Sequence, residues 1–228
     1  MLTERLLEFS LLGVEWILWV LMAMSVVAVA VMIERLLLFV GTRERIAVMA
    51  PRFSAAIEAR DYHDALGAVD GESLVRRVLG AGLRLMAAGT TARGRVEQAM
   101  LGALARERAR YEARLAVIGT IGNNAPFLGL LGTVLGVIQA FNAMAQIDPS
   151  QGATDRMVMG AIGEALVSTG IGILVAVPAV AAFNAAKAHI GGRVRQAEAL
   201  MGALLAGLDD DEAGSAGRQE KSHGAATV

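Results

Sequence analysis

Residues 115–147 read LAVIGTIGNNAPFLGLLGTVLGVIQAFNAMAQI, a run of 33 residues without a charged side chain. Residues 157–186 read MVMGAIGEALVSTGIGILVAVPAVAAFNAA, in which Glu164 is the one charged side chain, and Lys187 ends the run. An α-helix rises about 1.5 Å per residue, so either run can cross the roughly 30 Å hydrocarbon core of a bilayer. The two runs predict two transmembrane helices.

The residues around these runs extend the pattern. Between them lies DPSQGATDRM at 148–157, whose Asp, Pro, Ser and Gly favour a short loop between antiparallel helices. Near the start, residues 16–33 read WILWVLMAMSVVAVAVMI, a further 18 residues without charge. Ala28 and Ala30 raise the alternative of a cleaved signal peptide. The apolar run is too long for one and follows several Glu residues, so we predict a first transmembrane helix.

The basic residues indicate how the chain is oriented. Of the 21 Lys and Arg residues, 14 lie within 34–114 and five follow the third span, while Arg5 and Arg156 are the others. Lys and Arg concentrate on the cytoplasmic side of membrane proteins. We therefore predict that the N-terminus and the short loop lie on the outer side, and that 34–114 and the C-terminus lie in the cytoplasm.

The sequence thus predicts an all-α membrane protein with three spans and long helices that extend into the cytoplasm. The last cytoplasmic helix, from about Arg93, is expected to continue unbroken into the second span. The tail has almost no large apolar residues, which favours disorder. The predicted segments are an N-terminal segment at 1–15, spans at 16–40, 115–147 and 157–187, a cytoplasmic helical domain at 41–114, an outer loop at 148–156, a cytoplasmic helix at 188–208 and a disordered tail at 209–228.

Composition excludes several classes of function. Hydrophobic residues make up 55% of the chain and charged residues 19%, with a mean hydropathy of +0.51, as expected of a membrane protein. Cysteine is absent, which excludes disulfides, thiolate nucleophiles and metal sites built on sulfur. His63, His189 and His223 lie far apart, and the net charge of −1 argues against nucleic-acid binding. We expect neither an enzyme nor a metal or other cofactor.

Small residues of the second predicted span share one face. At 100° per residue they fall within an arc of about 100°, opposite the bulky apolar side chains. Small residues let helix backbones approach closely in a membrane, so this face is expected to pack against another helix. Pro126 removes a backbone hydrogen bond and is expected to bend the span. The small face consists of Gly122, Ala125, Gly129, Gly132, Thr133, Gly136, Ala140 and Ala143.

The third predicted span has a second small face, which includes Glu164. Thr169 lies roughly 140° from Glu164 on a straight helix, so the two are not expected to face the same wall. Pro178 frees a backbone carbonyl and could rotate the face. Besides Glu164, the face contains Gly160, Ala161, Ser168, Val175, Pro178, Ala182 and Ala186.

Polar side chains lie at matching depths in the two spans. Counted from the outer ends, Thr133 and Thr169 are both about 18 to 20 Å deep, so their hydroxyls could share one ring. The alternative is that each hydroxyl bonds a carbonyl three or four residues back in its own helix. Glu164 is about 10 Å deep, where an unpaired carboxylate costs on the order of 2.5 to 3.5 kcal/mol or more. Glu164 is therefore expected to be neutral, paired or hydrated.

Three motifs carry a family resemblance. They are APFLGLLGTVLGVIQAF at 125–141, IGEALVSTGIGILVAVPAVAAFN at 162–184 and IERL at 33–36. With the three-span layout they resemble the MotA/TolQ/ExbB proton channel superfamily, closest to its ExbB/TolQ branch, over about residues 10–195. The sequence departs from the usual pattern in LLGTVLG, which lacks an aromatic before the GT and a Trp after it, and in Ser168, where Ala is usual. The branch therefore stays open, with gliding-motility motors among the alternatives.

The resemblance implies a motor subunit of the bacterial inner membrane, driven by the proton motive force, with its N-terminus in the periplasm and its C-terminus in the cytoplasm. Five copies would surround a central pore that holds single-span ExbD- or TolR-like partners, whose aspartate carries the proton. TonB- or TolA-like proteins and membrane lipid are further implied partners. By motif position, Thr133 and Thr169 match pore-lining hydroxyls, Glu164 matches the acidic residue and Pro178 the proline of the family.

Two functions follow as hypotheses. In the first, an oligomeric bundle accommodates the partner's proton-bearing carboxyl at a ring of hydroxyls and converts proton movement into work. Gly129, Gly132 and Gly136, with Pro126, would shape the wall of that bundle. In the second, the protein is a non-conducting oligomeric scaffold. A secondary transporter is disfavoured, because three spans are too few for inverted repeats in one chain.

Overall fold

The computed structural model describes residues 15–41, 46–90, 92–145 and 154–224. Within these residues the regular structure is helical throughout, as the sequence predicts. The side chains at 46–48, 143, 154–157 and 209–224 lie outside the description. The helices are α1 (Glu15–Gly41), α2 (Ile46–Glu58), α3 (Tyr62–Ala68), α4 (Leu74–Ala87), α5 (Arg93–Glu112), α6 (Leu115–Ala145) and α7 (Thr154–Gly224).

Three of these helices contain segments long and apolar enough to cross a membrane. The segments are Glu15–Gly41, Leu115–Asn142 and Val158–Leu208. Their number agrees with the three predicted spans, although the third segment also includes the predicted cytoplasmic helix at 188–208. Residues 1–14 of the predicted N-terminal segment and residues 148–153 of the predicted loop lie outside the described residues, whereas residues 154–156 of that loop form the start of α7.

Helix α7 differs from its prediction at the C-terminal end. It continues to Gly224, although the composition favours disorder from residue 209 onwards. The stretch from 209 to 224 contains no proline and several good helix formers, which is compatible with a helical backbone. Residues 225–228 lie outside the description.

The predicted unbroken helix from about Arg93 into the second span is wrong. Helix α5 ends at Glu112 and α6 begins at Leu115. Ala113 leaves the helical region with ψ at 142°, and Arg114 has a left-handed φ of 61°. Neither residue type breaks helices, so the local sequence gives no sign of the interruption.

The chain divides into two compact units. The first comprises Met1–Leu37 and Arg114–Ala186, and the second comprises Leu38–Ala113 and Lys187–Val228. The first unit contains nearly all of the apolar runs of the three predicted spans. The second contains most of the basic residues, in line with the predicted cytoplasmic segments.

In the first unit, α6 and α7 run antiparallel and approach closely through glycines. A Cβ atom added to Gly122 would lie 2.7 Å from the side chain of Val180, and one added to Gly172 would lie 2.7 Å from the carbonyl oxygen of Ala125. Near the other end, a Cβ on Gly119 would lie 3.0 Å from the ring of Phe183. The two backbones can meet this closely only because these positions lack side chains.

The second unit is built like a small soluble domain. Helix α4 begins at the cap Ser73, whose hydroxyl accepts a hydrogen bond from the backbone N–H of Arg76, and one face of the helix is apolar and buried. The Arg52 side chain pairs with Asp64, and that hydrogen bond lowers the pKa of the Asp64 carboxyl. The largest fully buried side chains of this unit are Leu74, Val75, Leu79, Leu83, Met100, Ile190, Leu204 and Leu208.

A buried carboxylate in the second unit is neutralised by two arginines. Glu107 is buried on α5, and its oxygens lie 3.3 Å from a guanidinium nitrogen of Arg77 and 3.5 Å from one of Arg110. Arg77 also contacts Glu72 at 3.3 Å. Because burial of an unpaired charge is costly, these two contacts compensate for the burial of the Glu107 side chain.

The close approach of α6 and α7 yields a testable prediction. We expect Gly172→Ala to destabilise the protein by about 1 to 3 kcal/mol, because its methyl group would collide with the backbone oxygen of Ala125. The measurement is thermal unfolding of the purified protein in detergent. Gly170→Ala is the matched control, since a Cβ at that position has no atom within 4 Å. Equal stability of the two variants would contradict the close approach.

Candidate functional site

The carbonyl oxygen of Gly129 on α6 accepts hydrogen bonds from two hydroxyls of α7. The Ser168 Oγ donates to it at 3.0 Å, and the Thr169 Oγ1 donates to it at 3.0 Å. The Ser168 Oγ also lies 2.8 Å from the carbonyl oxygen of Ala165 in its own helix. Ser168 is 0% exposed, so its bonds are made entirely within the protein. The two helices are therefore joined by polar contacts inside an apolar interface.

Glycine is required at position 129 for this geometry. A Cβ there would lie 2.8 Å from the carbonyl oxygen of Ser168 and 3.0 Å from the Cα of Thr169. Pro126, one turn earlier, lies inside α6, where it lacks an N–H group to donate. The sequence thus places a small residue and a proline together where the α6 backbone meets the hydroxyls of α7.

Thr133 lies one turn beyond Gly129 on α6 and is half-buried. Its Oγ1 donates a hydrogen bond of 2.6 Å to the carbonyl oxygen of Leu130, three residues back in the same helix. Thr133 therefore forms a hydrogen bond within its own helix, which is the alternative prediction. Thr169 instead forms a hydrogen bond to a carbonyl oxygen of α6. The structure brings Thr169 to the turn of α6 that precedes Thr133, so the two hydroxyls lie at neighbouring levels of the helix pair.

Glu164 lies on an exposed face of α7, one turn from Ser168. Its carboxylate makes no hydrogen bond or ion pair with any residue that the structure describes. On the same side of the helix, Val167 is 53% exposed and Gly160 is exposed as well. A carboxylate on such a surface of a membrane-spanning helix needs water, protonation or a second protein chain to cover it.

The predicted small face of α6 is confirmed where the structure describes it. Six of its eight members are buried, Thr133 is half-buried, and the side chain of Ala143 lies outside the description. The bulky side chains on the other side, such as Phe127 and Phe141, are exposed. The buried members are Gly122, Ala125, Gly129, Gly132, Gly136 and Ala140.

The small face predicted for α7 is buried only in part. Ser168, Val175 and Ala186 are buried, but Gly160, Glu164 and Pro178 are exposed. The face that packs is rotated from the predicted one and is centred on small residues at three- and four-residue spacing. An ideal wheel of 100° per residue does not anticipate such a shift along a helix interrupted by Pro178. The buried small residues are Ala165, Ser168, Gly172, Ala176 and Ala179.

Sequence reasoning did not identify the donor role of Ser168, nor the ion pair between Glu34 and Arg114. The regular spacing of small residues from Ala165 to Ala179 was the available sign of the Ser168 contact. For the ion pair no local sign existed, since its members lie 80 residues apart. Arg114 Nη1 lies 2.6 Å from Glu34 Oε1, and Arg35 Nη2 lies 2.8 Å from the same oxygen.

Comparison with known proteins connects this geometry to a family. The family model described as the MotA/TolQ/ExbB proton channel family matches residues 70–199, more than half of the 228 residues. The biopolymer transport protein ExbB of Xanthomonas campestris pv. campestris (strain B100) is 42% identical over 89 residues, which are 39% of this chain and 34% of that protein.

Two further relatives are similar over comparable lengths. The Tol-Pal system protein TolQ of Pseudomonas aeruginosa is 42% identical over 89 residues, 39% of this chain and 37% of that protein. The biopolymer transport protein ExbB of Neisseria gonorrhoeae is 43% identical over 75 residues, 33% of each chain. The matched region thus spans about a third of the length of these curated relatives.

The contact at Gly129 predicts the effect of removing the buried hydroxyl. We expect Ser168→Ala to lower the free energy of unfolding by about 0.6 kcal/mol, and by at most about 1.7 kcal/mol, the range for hydrogen bonds between membrane helices. Chemical or thermal unfolding in detergent measures the change. Thr120→Val serves as the control, because Thr120 is exposed on the same helix pair. A loss no larger than that of the control would show that the Ser168 bond does not stabilise the pair.

Proposed function

This chain belongs to the MotA/TolQ/ExbB proton channel family, and we propose that it is a subunit of an inner-membrane motor driven by the proton motive force. In this proposal, five copies form a bundle around a central pore. A single-span partner of the ExbD or TolR kind lies in the pore and carries the proton on an acidic side chain. The complex energises transport or other work at the cell envelope.

The exposed position of Glu164 is the observation that carries the proposal. An ionisable side chain on the surface of a membrane-spanning helix is unfavourable against lipid, by about 2.5 to 3.5 kcal/mol on insertion scales. In a ring of identical copies, that surface is covered by neighbouring protein or faces a hydrated pore. Val167, on the same side of α7, is 53% exposed, and other large apolar side chains of the helix such as Leu166 and Leu174 are exposed too, which supports burial of α7 by other chains or lipid.

The threonine hydroxyls are suited to a protonated partner. Thr133 donates its hydrogen to Leu130, and Thr169 donates its hydrogen to Gly129, so each oxygen has only lone pairs left to offer. A lone pair can accept a hydrogen bond from a neutral carboxylic acid but repels a carboxylate. A ring of such hydroxyls therefore favours the protonated form of the partner's acid.

The free energy available from the membrane potential is consistent with a partner carboxyl group that moves through the membrane in its neutral form. Moving one charge across 100 mV releases about 2.3 kcal/mol, which can bias a conformational step. It does not offset the burial of a bare carboxylate in the bilayer. We therefore infer that protonation of the partner's carboxyl precedes its passage along the hydroxyls.

The arrangement in the cell is part of the proposal. The distribution of Lys and Arg supports a periplasmic N-terminus and a cytoplasmic C-terminus. We further propose partners of the TonB or TolA kind at the envelope, as the family resemblance implies; two relatives are named biopolymer transport protein and Tol-Pal system protein. We propose no enzymatic activity for the chain.

A non-conducting scaffold is the second candidate. The observation that favours it is that the hydroxyls of Thr133, Ser168 and Thr169 are all bonded to backbone carbonyls, as purely structural hydroxyls are. In a scaffold, Glu164 would be a packing residue between copies. The motor and the scaffold are distinguished by substitutions that remove a polar atom and keep the shape of the side chain: such a substitution should impair the motor and leave the scaffold working.

Replacing both threonines by valine tests the role of the hydroxyls. We expect the Thr133→Val, Thr169→Val double variant to lose proton-driven work by about tenfold or more, equivalent to about 1.4 kcal/mol, because the shape stays while both oxygens are deleted. The measurement is proton uptake by liposomes that contain the variant together with a single-span protein of the ExbD or TolR kind. Unchanged uptake would refute the assigned role.

Ser168→Ala is the matched control for that experiment. It removes a bond to the same Gly129 carbonyl but from a fully buried oxygen, which no partner side chain can reach. Proton uptake should therefore persist in Ser168→Ala. Equal losses in both variants would indicate that packing of α6 on α7, and not the accessible hydroxyls, limits the activity.

Replacing Glu164 by glutamine separates the motor from the scaffold. We expect Glu164→Gln to abolish most proton-driven work while the oligomer still assembles, because the substitution keeps the volume and removes the charge. Native mass spectrometry of the purified complex reports assembly, and liposome uptake reports activity. A scaffold would retain its function, so full activity in this variant would argue for the second candidate.

A further inference from the structure

A cavity within the second unit is lined mainly by charged side chains. It lies between α4, α5 and the loop that precedes α4, and its volume is about 470 Å³, in the range of small-molecule sites. The other lining residues are one glycine and two alanines, so a ligand in the cavity would contact the charged groups. The charged residues are Asp70, Glu72, Arg77, Arg84, Arg106 and Glu107.

Two of the three carboxylates in the cavity are already paired with arginines. The oxygens of Glu107 lie 3.3 Å from a guanidinium nitrogen of Arg77 and 3.5 Å from one of Arg110. A second nitrogen of Arg77 lies 3.3 Å from Glu72. The charge of Arg77 is therefore shared between two carboxylates of the protein itself.

The other two arginines of the cavity have no such partner. Neither Arg84 nor Arg106 makes a hydrogen bond or ion pair with any residue that the structure describes. Arg84 belongs to α4 and Arg106 to α5, so two different helices each contribute a guanidinium group to one cavity. The Arg106 guanidinium lies against its own helix, because a Cβ added to Gly102 would lie 3.4 Å from its Nη1.

The third carboxylate, Asp70, lies in the loop that precedes α4 and is exposed. Among the described residues its carboxylate has no hydrogen-bond donor, although Arg76 Nη1 donates to its backbone carbonyl oxygen. With Arg76 and Arg110, which contact the lining residues, the described part of the site has five arginines and three carboxylates. The site therefore has an excess of positive charge and one free acceptor.

We propose that this cavity binds a small phosphate ester that carries hydroxyl groups, such as a sugar phosphate, with Arg84 and Arg106 on the phosphate and Asp70 on a hydroxyl. A phosphate monoester carries a charge of about −1.5 to −2 at pH 7, which matches the two unpaired guanidinium groups. Arginine binds phosphate oxygens through paired N–H groups, and a carboxylate accepts hydrogen bonds from hydroxyls. The inference concerns the second unit alone and is independent of proton transport.

Isothermal titration calorimetry of the full-length protein in detergent tests the site. The probes are glucose 6-phosphate, inorganic phosphate and glucose. We expect glucose 6-phosphate to bind more tightly than inorganic phosphate, because only the ester offers hydroxyls to Asp70, and we expect no binding of glucose, which lacks the charge. Absence of binding by both phosphate compounds would overturn the proposal.

Phosphatidylglycerol distinguishes a soluble ester from a lipid headgroup, since its headgroup combines a phosphate with hydroxyls. The titration with glucose 6-phosphate is repeated after this lipid is added to the detergent. A soluble ligand predicts an unchanged affinity for glucose 6-phosphate. Competition by the lipid would assign the cavity to a headgroup and would overturn the proposal of a soluble ester.

Variants of the cavity locate the binding. Arg84→Gln and Arg106→Gln should each weaken the binding of glucose 6-phosphate by about tenfold or more, because each loses a charged hydrogen-bond donor. Asp70→Asn should reduce the preference for glucose 6-phosphate over inorganic phosphate, while inorganic phosphate binds at least as tightly as in the wild type. Arg108→Gln is the matched control, since Arg108 is exposed on α5, pairs with Glu112 and does not line the cavity.

Equal affinities in Arg84→Gln, Arg106→Gln and the Arg108→Gln control would place the binding elsewhere and overturn the proposal. An unchanged preference in Asp70→Asn would overturn the role of Asp70. Circular dichroism of each variant verifies that the helices remain folded. A variant that loses helicity is replaced by the lysine variant, which keeps the charge but loses the paired N–H groups and is also expected to bind more weakly than the wild type.

Discussion

The contact between the backbones of α6 and α7 is the constraint on which the first unit depends. At Gly129 and Gly172 the helices are so close that a single added methyl group would overlap backbone atoms. In a membrane there is little hydrophobic driving force between helices, so close packing and interhelical hydrogen bonds must hold them together. The small residues are therefore required by the interface, and they also fix which atoms of α7 can reach α6.

The same closeness determines the chemistry of the polar side chains. Because the Gly129 carbonyl is accessible, Ser168 and Thr169 can donate to it, and their hydrogens are used within the protein. The half-buried oxygens of Thr133 and Thr169 are left as acceptors. Glu164, by contrast, has no such support from the described residues and lies on an exposed face. The helix pair thus combines a fixed polar contact with an acid that needs a further molecule around it.

The second unit follows the rules of soluble proteins. Its helices have capping residues, an apolar core and a buried carboxylate, Glu107, that is paired with arginines. Near its boundary the chain leaves the helical path at Ala113 and Arg114, although both residues favour a helix. Arg114 Nη1 also lies 2.6 Å from Glu34 Oε1, a contact between residues far apart in sequence. The end of α5 is thus not evident from the helix preferences of the local sequence.

The sequence by itself determined the helical class, the three spans and the small face of α6, because hydropathy and the 3.6-residue period depend on near neighbours in the chain. The tertiary structure decided the partner of Thr169, which is 40 residues away, the exposed position of Glu164, and the break at Arg114. Each depends on which distant backbone atom or charge lies opposite. Such contacts arise only when the helices pack, so no local pattern in the chain encodes them.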